Sequence, residues 1–418
     1  MVNVDIRPPQ NLVDLLLPRL EKAVYNDQYQ VMGLLTGRTA HILFYAYLSK
    51  HTKNEKYFDK ALERIDEVYA LFDQYKDKHD VYSYGGGVLG LAWVLRLLHK
   101  EGMISVDIDD VLEDIDGVVD DFLNKDLKNH KYDPLYGYVS KGIYLLERVP
   151  EQRAVDGLAR IVDTLVKEAI PVGSYLTWHN KEKDLLVPTI EGSPRWCDCG
   201  IAHGTSGIIL LLCAIYEKGL FRDRITPLIQ KAVGWLLSVE DTEEHAIFKM
   251  PYFVTYPAIN TSTSSTTKAY KLAWCYGDLS IAWTLTKAAK TLDCESWLAA
   301  AHKLALSCAS VPIQDSGVVK EDGTIDPTFC HGAIGVAYLL NKINGYFHDD
   351  KMASAIHQWK EIAIRETGEC LTHKNLICNL EGLKEDCGLL YGYSGIGLAL
   401  MGLMDSELTG WDGALLLN

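Results

Sequence analysis

The sequence has no apolar run long enough to cross a bilayer. Its longest such stretches, for example Gly207 to Tyr216, are about half the span needed. It has no secretory start: Met1-Val2-Asn3-Val4-Asp5-Ile6-Arg7-Pro8-Pro9 lacks the basic opening and apolar stretch of a signal peptide. Both absences lead us to expect a cytosolic protein. It lacks an excess of positive charge. The net charge is −15, and an acidic surface repels phosphate backbones, so general nucleic-acid binding is not expected. Ten cysteines are present, but the small secreted format of a disulfide framework is missing. Metal binding or catalysis is the better use for some of them, and the rest pack as small hydrophobes.

What is present is ordinary globular material, 48% hydrophobic and 23% charged, arranged as a repeat. The unit is Gly-x-x-Gly/Ser/Ala followed by an apolar run. It occurs at Gly37, Gly87, Gly137, Gly204, Gly277, Gly332 and Gly392, with spacings of 50, 50, 67, 73, 55 and 60 residues. The residue before the glycine is often aromatic or His: Tyr136, His203, Tyr276, His331, Tyr391. Each copy opens a segment that is apolar nearly all round, as in Ile208 to Tyr216, and such a helix is a buried one. Between copies lie amphipathic segments. From 107 to 124, Ile108, Val111, Leu112, Ile115, Val118, Val119 and Phe122 recur at helical spacing. Comparable stretches cover about 10–26, 53–76, 151–170, 223–238, 293–310 and 350–366.

The expected fold is therefore all-α, an α/α toroid of seven inner and seven outer helices, in a single domain over residues 1–418. Segments 171–199 and 240–270 are expected as rim insertions, with loops and short strands. The glycines would permit close helix approach or unusual backbone angles. The inner helices would gather their N-termini at one end, where free N–H groups and partial positive charge favour thiolates and other anions.

Three copies carry chemistry at that end: Trp274-Cys275-Tyr276-Gly277, Phe329-Cys330-His331-Gly332 and Ala202-His203-Gly204. Catalytic zinc takes three Cys/His ligands and keeps one position open, and Cys275, Cys330 and His331 supply such a set from adjacent repeats. Each cysteine taken alone reads better as a buried helix-start residue, and it is their shared place beside the repeat glycines that favours the metal reading. His203 is a candidate general acid or base, or else a packing residue. Asp133 could orient His203, although Asp before Pro is a common turn residue. Lys271 stands four residues before Cys275, where a solvated lysine would be ordinary. Cys197-Asp198-Cys199 and Cys370-Leu371-Thr372-His373 are weaker metal candidates.

On the Trp-Cys-Tyr-Gly motif at 274–277, Cys-His-Gly at 330–332, Ala-His-Gly at 202–204 and Tyr-Gly-Tyr-Ser-Gly-Ile-Gly at 391–397, the chain resembles the lanthionine synthetase C-like family over essentially its whole length. The resemblance implies an α/α toroid with one Zn²⁺ on Cys275, Cys330 and His331. For the bacterial members it implies a cyclase. A cysteine thiol of a dehydrated precursor peptide adds to dehydroalanine or dehydrobutyrine, closing a lanthionine or methyllanthionine ring. Residues matching His203, Asp133 and Tyr276 are implicated, and Lys271 stands where the family commonly has Arg. The fifth repeat reads Gly277-Asp278-Leu279-Ser280 where Gly-x-Pro-Gly is common. A dehydratase and an exporter are the implied partners, with membrane association through that complex. Two alternatives remain: a member that adds glutathione to dehydro residues, and a non-catalytic zinc-containing peptide-binding protein. A thiol-activating ring of the prenyltransferase kind would need a basic diphosphate-binding cluster, absent from this acidic sequence.

Overall fold

A computed structural model describes residues 10–27, 30–76, 79–179, 195–256, 266–267, 269–373 and 388–418. Helices come in pairs. The first of each pair is amphipathic: α1 (Gln10–Tyr25), α3 (Lys56–Tyr75), α5 (Asp109–Lys128), α7 (Gln152–Glu168), α9 (Arg222–Ser238), α11 (Glu295–Ser310) and α13 (Asp350–His373). The second is buried: α2 (Thr39–Thr52), α4 (Val88–Lys100), α6 (Tyr138–Glu147), α8 (Thr205–Glu217), α10 (Asp278–Leu292), α12 (Ala333–Phe347) and α14 (Tyr393–Met404). In α7 the buried set is Ala154, Gly157, Leu158, Ile161, Val162 and Leu165, a single stripe at helical spacing. In α8 nearly every side chain is buried, because it packs on both neighbours and on the outer ring. Each inner helix touches the next, and α14 returns to α2, so the ring closes. The expected toroid is the observed fold.

Backbone hydrogen bonds tie the loops that open the inner helices. Leu35 donates to Gly85 (3.0 Å), Gly85 to Leu135 (3.1 Å), Ala202 to Cys275 (3.4 Å), Trp274 to Cys330 (2.9 Å), Cys330 to Leu390 (2.9 Å) and Leu390 to Leu35 (2.9 Å). All but Trp274 stand two residues before a repeat glycine, so this register is a structural one. The glycines serve close approach rather than unusual angles. At Gly87 the backbone is extended, and a side chain would collide with the Val81 carbonyl. Gly277 differs, with φ of +83° that disfavours any other residue.

The bore is plugged by the chain's own C-terminal segment. Trp411, Ala414, Leu415 and Leu417 are buried there. Side chains from three repeats of the ring hold them. Tyr84 donates to the Ala414 carbonyl (3.2 Å) and Trp274 Nε1 to Leu415 (3.3 Å). Trp283 Nε1 donates to Leu416 (2.9 Å) and the Tyr338 hydroxyl to Asp412 (2.8 Å).

Strands occur only at the rim among the described residues. β1 (Ile170–Val172) and β2 (Tyr175–Thr177) form a hairpin. β3 (Arg195–Asp198), β4 (Phe253–Tyr256) and β5 (Thr266–Thr267) form an antiparallel sheet that joins the two inserted segments, Asp198 pairing with Phe253. Residues 180–194, 257–265 and 268 of those segments lie outside the described residues. Among the described residues no helix is long and apolar enough to cross a membrane.

Candidate metal and proton-transfer site

The loops before α8, α10 and α12 meet at one end of the ring. Cys275 and Cys330 occupy the same register, two residues before their glycines, and the backbone relay holds the two loops together. Their thiols are in hydrogen-bond contact. Contact with the Cys330 thiol pulls Cys275 below the usual thiol range against the cost of burial, helped by the positive field of His331, His203 and Lys271. Cys330 is pushed up for the complementary reason: its proton is shared with Cys275 and its thiol is buried.

His331 sits one residue on, beside Tyr391, with ring centroids 5.4 Å apart. Asp326 Oδ2 lies 3.3 Å from His331 Nδ1, an ionic contact without hydrogen-bond alignment. Burial disfavours the Asp326 carboxylate, yet its contacts with His331 and Thr328 hold it at about 2. A carboxylate behind one ring nitrogen is the usual support of a metal-ligating histidine. Among the described residues no three His, Cys, Asp or Glu side chains are gathered as a formed metal site. The donor chemistry still fits zinc: two adjoining soft thiols and an imidazole backed by a carboxylate.

A His–Asp pair spans the seam between repeats three and four. His203 Nδ1 is 2.7 Å from Asp133 Oδ2, and Asp133 is 3% exposed. The other oxygen of Asp133 accepts from the backbone N–H groups of Leu135 (2.8 Å) and Tyr136 (3.0 Å). This is the seam where the backbone relay from Leu135 does not continue to Ala202. Asp133 bridges it, which fixes the carboxylate and aims it at His203. Tyr136 and Tyr276 flank the His203 ring at 6.5 and 6.3 Å. Tyr276 donates its hydroxyl to Asp198 Oδ2 (2.9 Å). Lys271 lines a cavity of about 630 Å³ together with Asp326, His331 and Tyr391.

All seven residues singled out in the sequence thus stand at one end of the ring. Three neighbours were not singled out: Asp198, Asp326 and Tyr391. A signal for the acids existed, since Asp198, Lys271 and Asp326 each stand six residues before a repeat glycine. Of the weaker candidates, Cys197 is buried and its thiol is pushed up to about 12, the behaviour of a core cysteine. Cys370 and His373 lie in the last turn of the outer helix α13, where His373 pairs with Glu369.

Fold and site together define a class: seven-fold α/α toroids with cysteine and histidine side chains gathered at one rim. Within that class, the chain belongs to the lanthionine synthetase C-like family, whose profile matches residues 29–416. Nisin cyclase is similar in structure, with a TM-score of 0.75 and 18% identity, covering 98% of this chain and 97% of that one. An α-1,6-mannanase of Salegentibacter (TM-score 0.47, 10% identity, 94% and 99% covered) and cellobiose 2-epimerase of Bacillus thermoamylovorans (0.45, 10%, 94% and 99%) are more distant. No curated protein matches by sequence.

Proposed function

We propose that the chain is a zinc-dependent cyclase that adds a peptide cysteine thiol to dehydroalanine or dehydrobutyrine, forming a thioether ring. Cys275, Cys330 and His331 would hold one zinc ion. The observation that carries this reading is the meeting of two cysteines at adjoining helix starts beside a carboxylate-backed His and a His–Asp pair. Zinc, when bound, would supply a lowered pKa for the incoming thiol, so that it reacts as thiolate at neutral pH.

The chain's own residues serve the other half of the addition. A C–S bond forms at the β-carbon, the double-bond electron pair moves toward the carbonyl, and the α-carbon must take a proton. The Asp133 carboxylate accepts Nδ1–H of His203 and fixes the ring's tautomer and orientation. The proton for the α-carbon then comes from His203 Nε2. Lys271 is the cation available to the developing enolate oxygen. Tyr276, tethered to Asp198, forms the wall beside His203. No electrons are gained or lost overall. The substrate is a dehydrated precursor peptide, so a dehydratase acts before this protein and an exporter after it, on the cytoplasmic side.

The test is His203→Ala with a dehydrated cysteine-containing peptide. Zinc should stay bound while cyclisation falls about 10²- to 10⁴-fold. Loss of metal in that variant would make His203 a ligand and overturn the assignment.

A further inference from the structure

The reactive end of the ring holds a second cavity, of about 520 Å³, over the starts of α2, α4 and α6. Met32, Tyr82, Phe122 and Tyr136 line it, and the ion pair of Lys141 with Asp126 also borders it. That volume falls within the ~300–1,000 Å³ of small-ligand pockets.

The ion pair is the feature the fold does not require. Lys141 is the fourth residue after its repeat glycine. The same place holds Leu91, Ile208, Ile281, Val336 and Ile396 in five other repeats, and His41 in the first. An aliphatic residue completes the core there. A buried Lys–Asp pair loses the hydration of two charges, and hydrophobic replacements are often as stable or more so. The two side chains are only 4% and 3% exposed. The walls carry a second anomaly. Tyr82 and Phe122 stack at 4.5 Å, 20° from parallel, yet both remain partly open to solvent. Third, Tyr136 is shared. It lines this cavity and lies nearly parallel to the His203 ring, 19° apart.

We propose that this cavity is a subsite for an apolar side chain, aromatic or large aliphatic, of the same peptide whose dehydro residue stands at His203. The proposal rests on the cyclase reading and adds a sequence preference to it. Aromatic walls take the side chain, and the charged pair gives polar footing for the peptide backbone entering beside it. The Tyr136 ring, which lines the cavity, lies 6.5 Å from the His203 ring, so the subsite stands at least two residues of extended chain, at ~3.3 Å each, from the dehydro residue.

The probes are short peptides carrying one cysteine and one dehydroalanine, with Phe or Ala placed one to five residues from the dehydroalanine. Wild-type protein loaded with zinc should cyclise the Phe peptide with kcat/KM roughly 10- to 100-fold above the Ala peptide, with the peak about two or more residues away. Phe122→Ala and Tyr82→Ala should erase that ratio, bringing the Phe peptide down to the Ala peptide, with thermal melting confirming that both variants fold. An equal ratio in wild type and variants, or no preference at any position, overturns the subsite while the cyclase reading stands. If neither peptide is cyclised, the cyclase reading fails, and the subsite is decided by binding alone. Calorimetry with the Phe peptide carrying Ser in place of dehydroalanine then applies. Weaker binding to Phe122→Ala supports the subsite, and equal binding overturns it.

Discussion

Repeats one to three and repeats four to six share one backbone and differ in where they carry chemistry. In the second group it lies before the inner helix: Cys275 and Cys330 two residues ahead of the glycine, His203, Tyr276 and His331 one ahead. The helices behind them are aliphatic at the fourth place, with Ile208, Ile281 and Val336. In the first group the loops carry Leu35, Gly85 and Leu135, with Asp133 the one reactive group, and a polar side chain is buried one turn inside the helix instead, neutral at His41 and charged at Lys141. The relay of backbone bonds makes the loop positions equivalent. What differs is only which side chain each repeat places on an equivalent peg.

That contrast can be broken by substitution. The largest effect is expected from His203→Ala on cyclisation, as above, because the proposed reaction takes its α-carbon proton from the His–Asp pair. Next comes Lys141→Met, which leaves the Asp126 carboxylate buried and unpaired. We expect a loss of about 3–5 kcal/mol in denaturant unfolding, while Lys141→Met with Asp126→Leu recovers most of it. Equal loss in the single and double variants would mean that the pair contributes through packing alone.

The plug predicts an effect on the reactive half. Trp411 is fully buried, and its segment accepts the Trp274 indole one residue before Cys275. Trp411→Ala should cost about 3–5 kcal/mol. It should also weaken metal retention, read as faster zinc loss to a chelator, whereas Trp93→Phe on the other side of the bore should not.

The smallest effect is a pH slope. Burial, with Arg64 and Arg38 nearby, depresses His41 to about 3, and both ring nitrogens lack a hydrogen bond among the described residues although Asp27 lies 3.4 Å away. The unfolded chain binds this proton below about 6.5 and the folded chain does not. Stability from His41 is therefore present above pH 6.5 and lost as pH falls toward 3, at up to ~1.4 kcal/mol per pH unit. His41→Leu, the choice of the second repeat at this place, should flatten that slope in chemical denaturation between pH 6.5 and 5.

Much of this was readable from sequence. The seven glycines gave the pairs and the ring, because a fully apolar helix behind each glycine has only one place to go. The motifs beside Gly204, Gly277 and Gly332 gave the reactive end. The plug was not readable. Gly410 to Leu415 has no helical stripe, and its burial comes from partners such as Tyr84 and Trp283 that are far away in the chain. Lys141 was not readable either, since a lysine in an apolar run looks like a surface residue until Asp126 is seen beside it. Asp133 was noticed as a partner for His203, but its reason is structural. It takes the N–H groups that the backbone relay leaves open at the seam between repeats three and four.

The central claim is that Cys275, Cys330 and His331 form one zinc site. Metal content of the purified protein tests it most directly. The account predicts about one zinc per chain in the wild type, retained in His203→Ala and lost in Cys275→Ala with the fold intact by circular dichroism. Equal zinc in the wild type and in Cys275→Ala would contradict it.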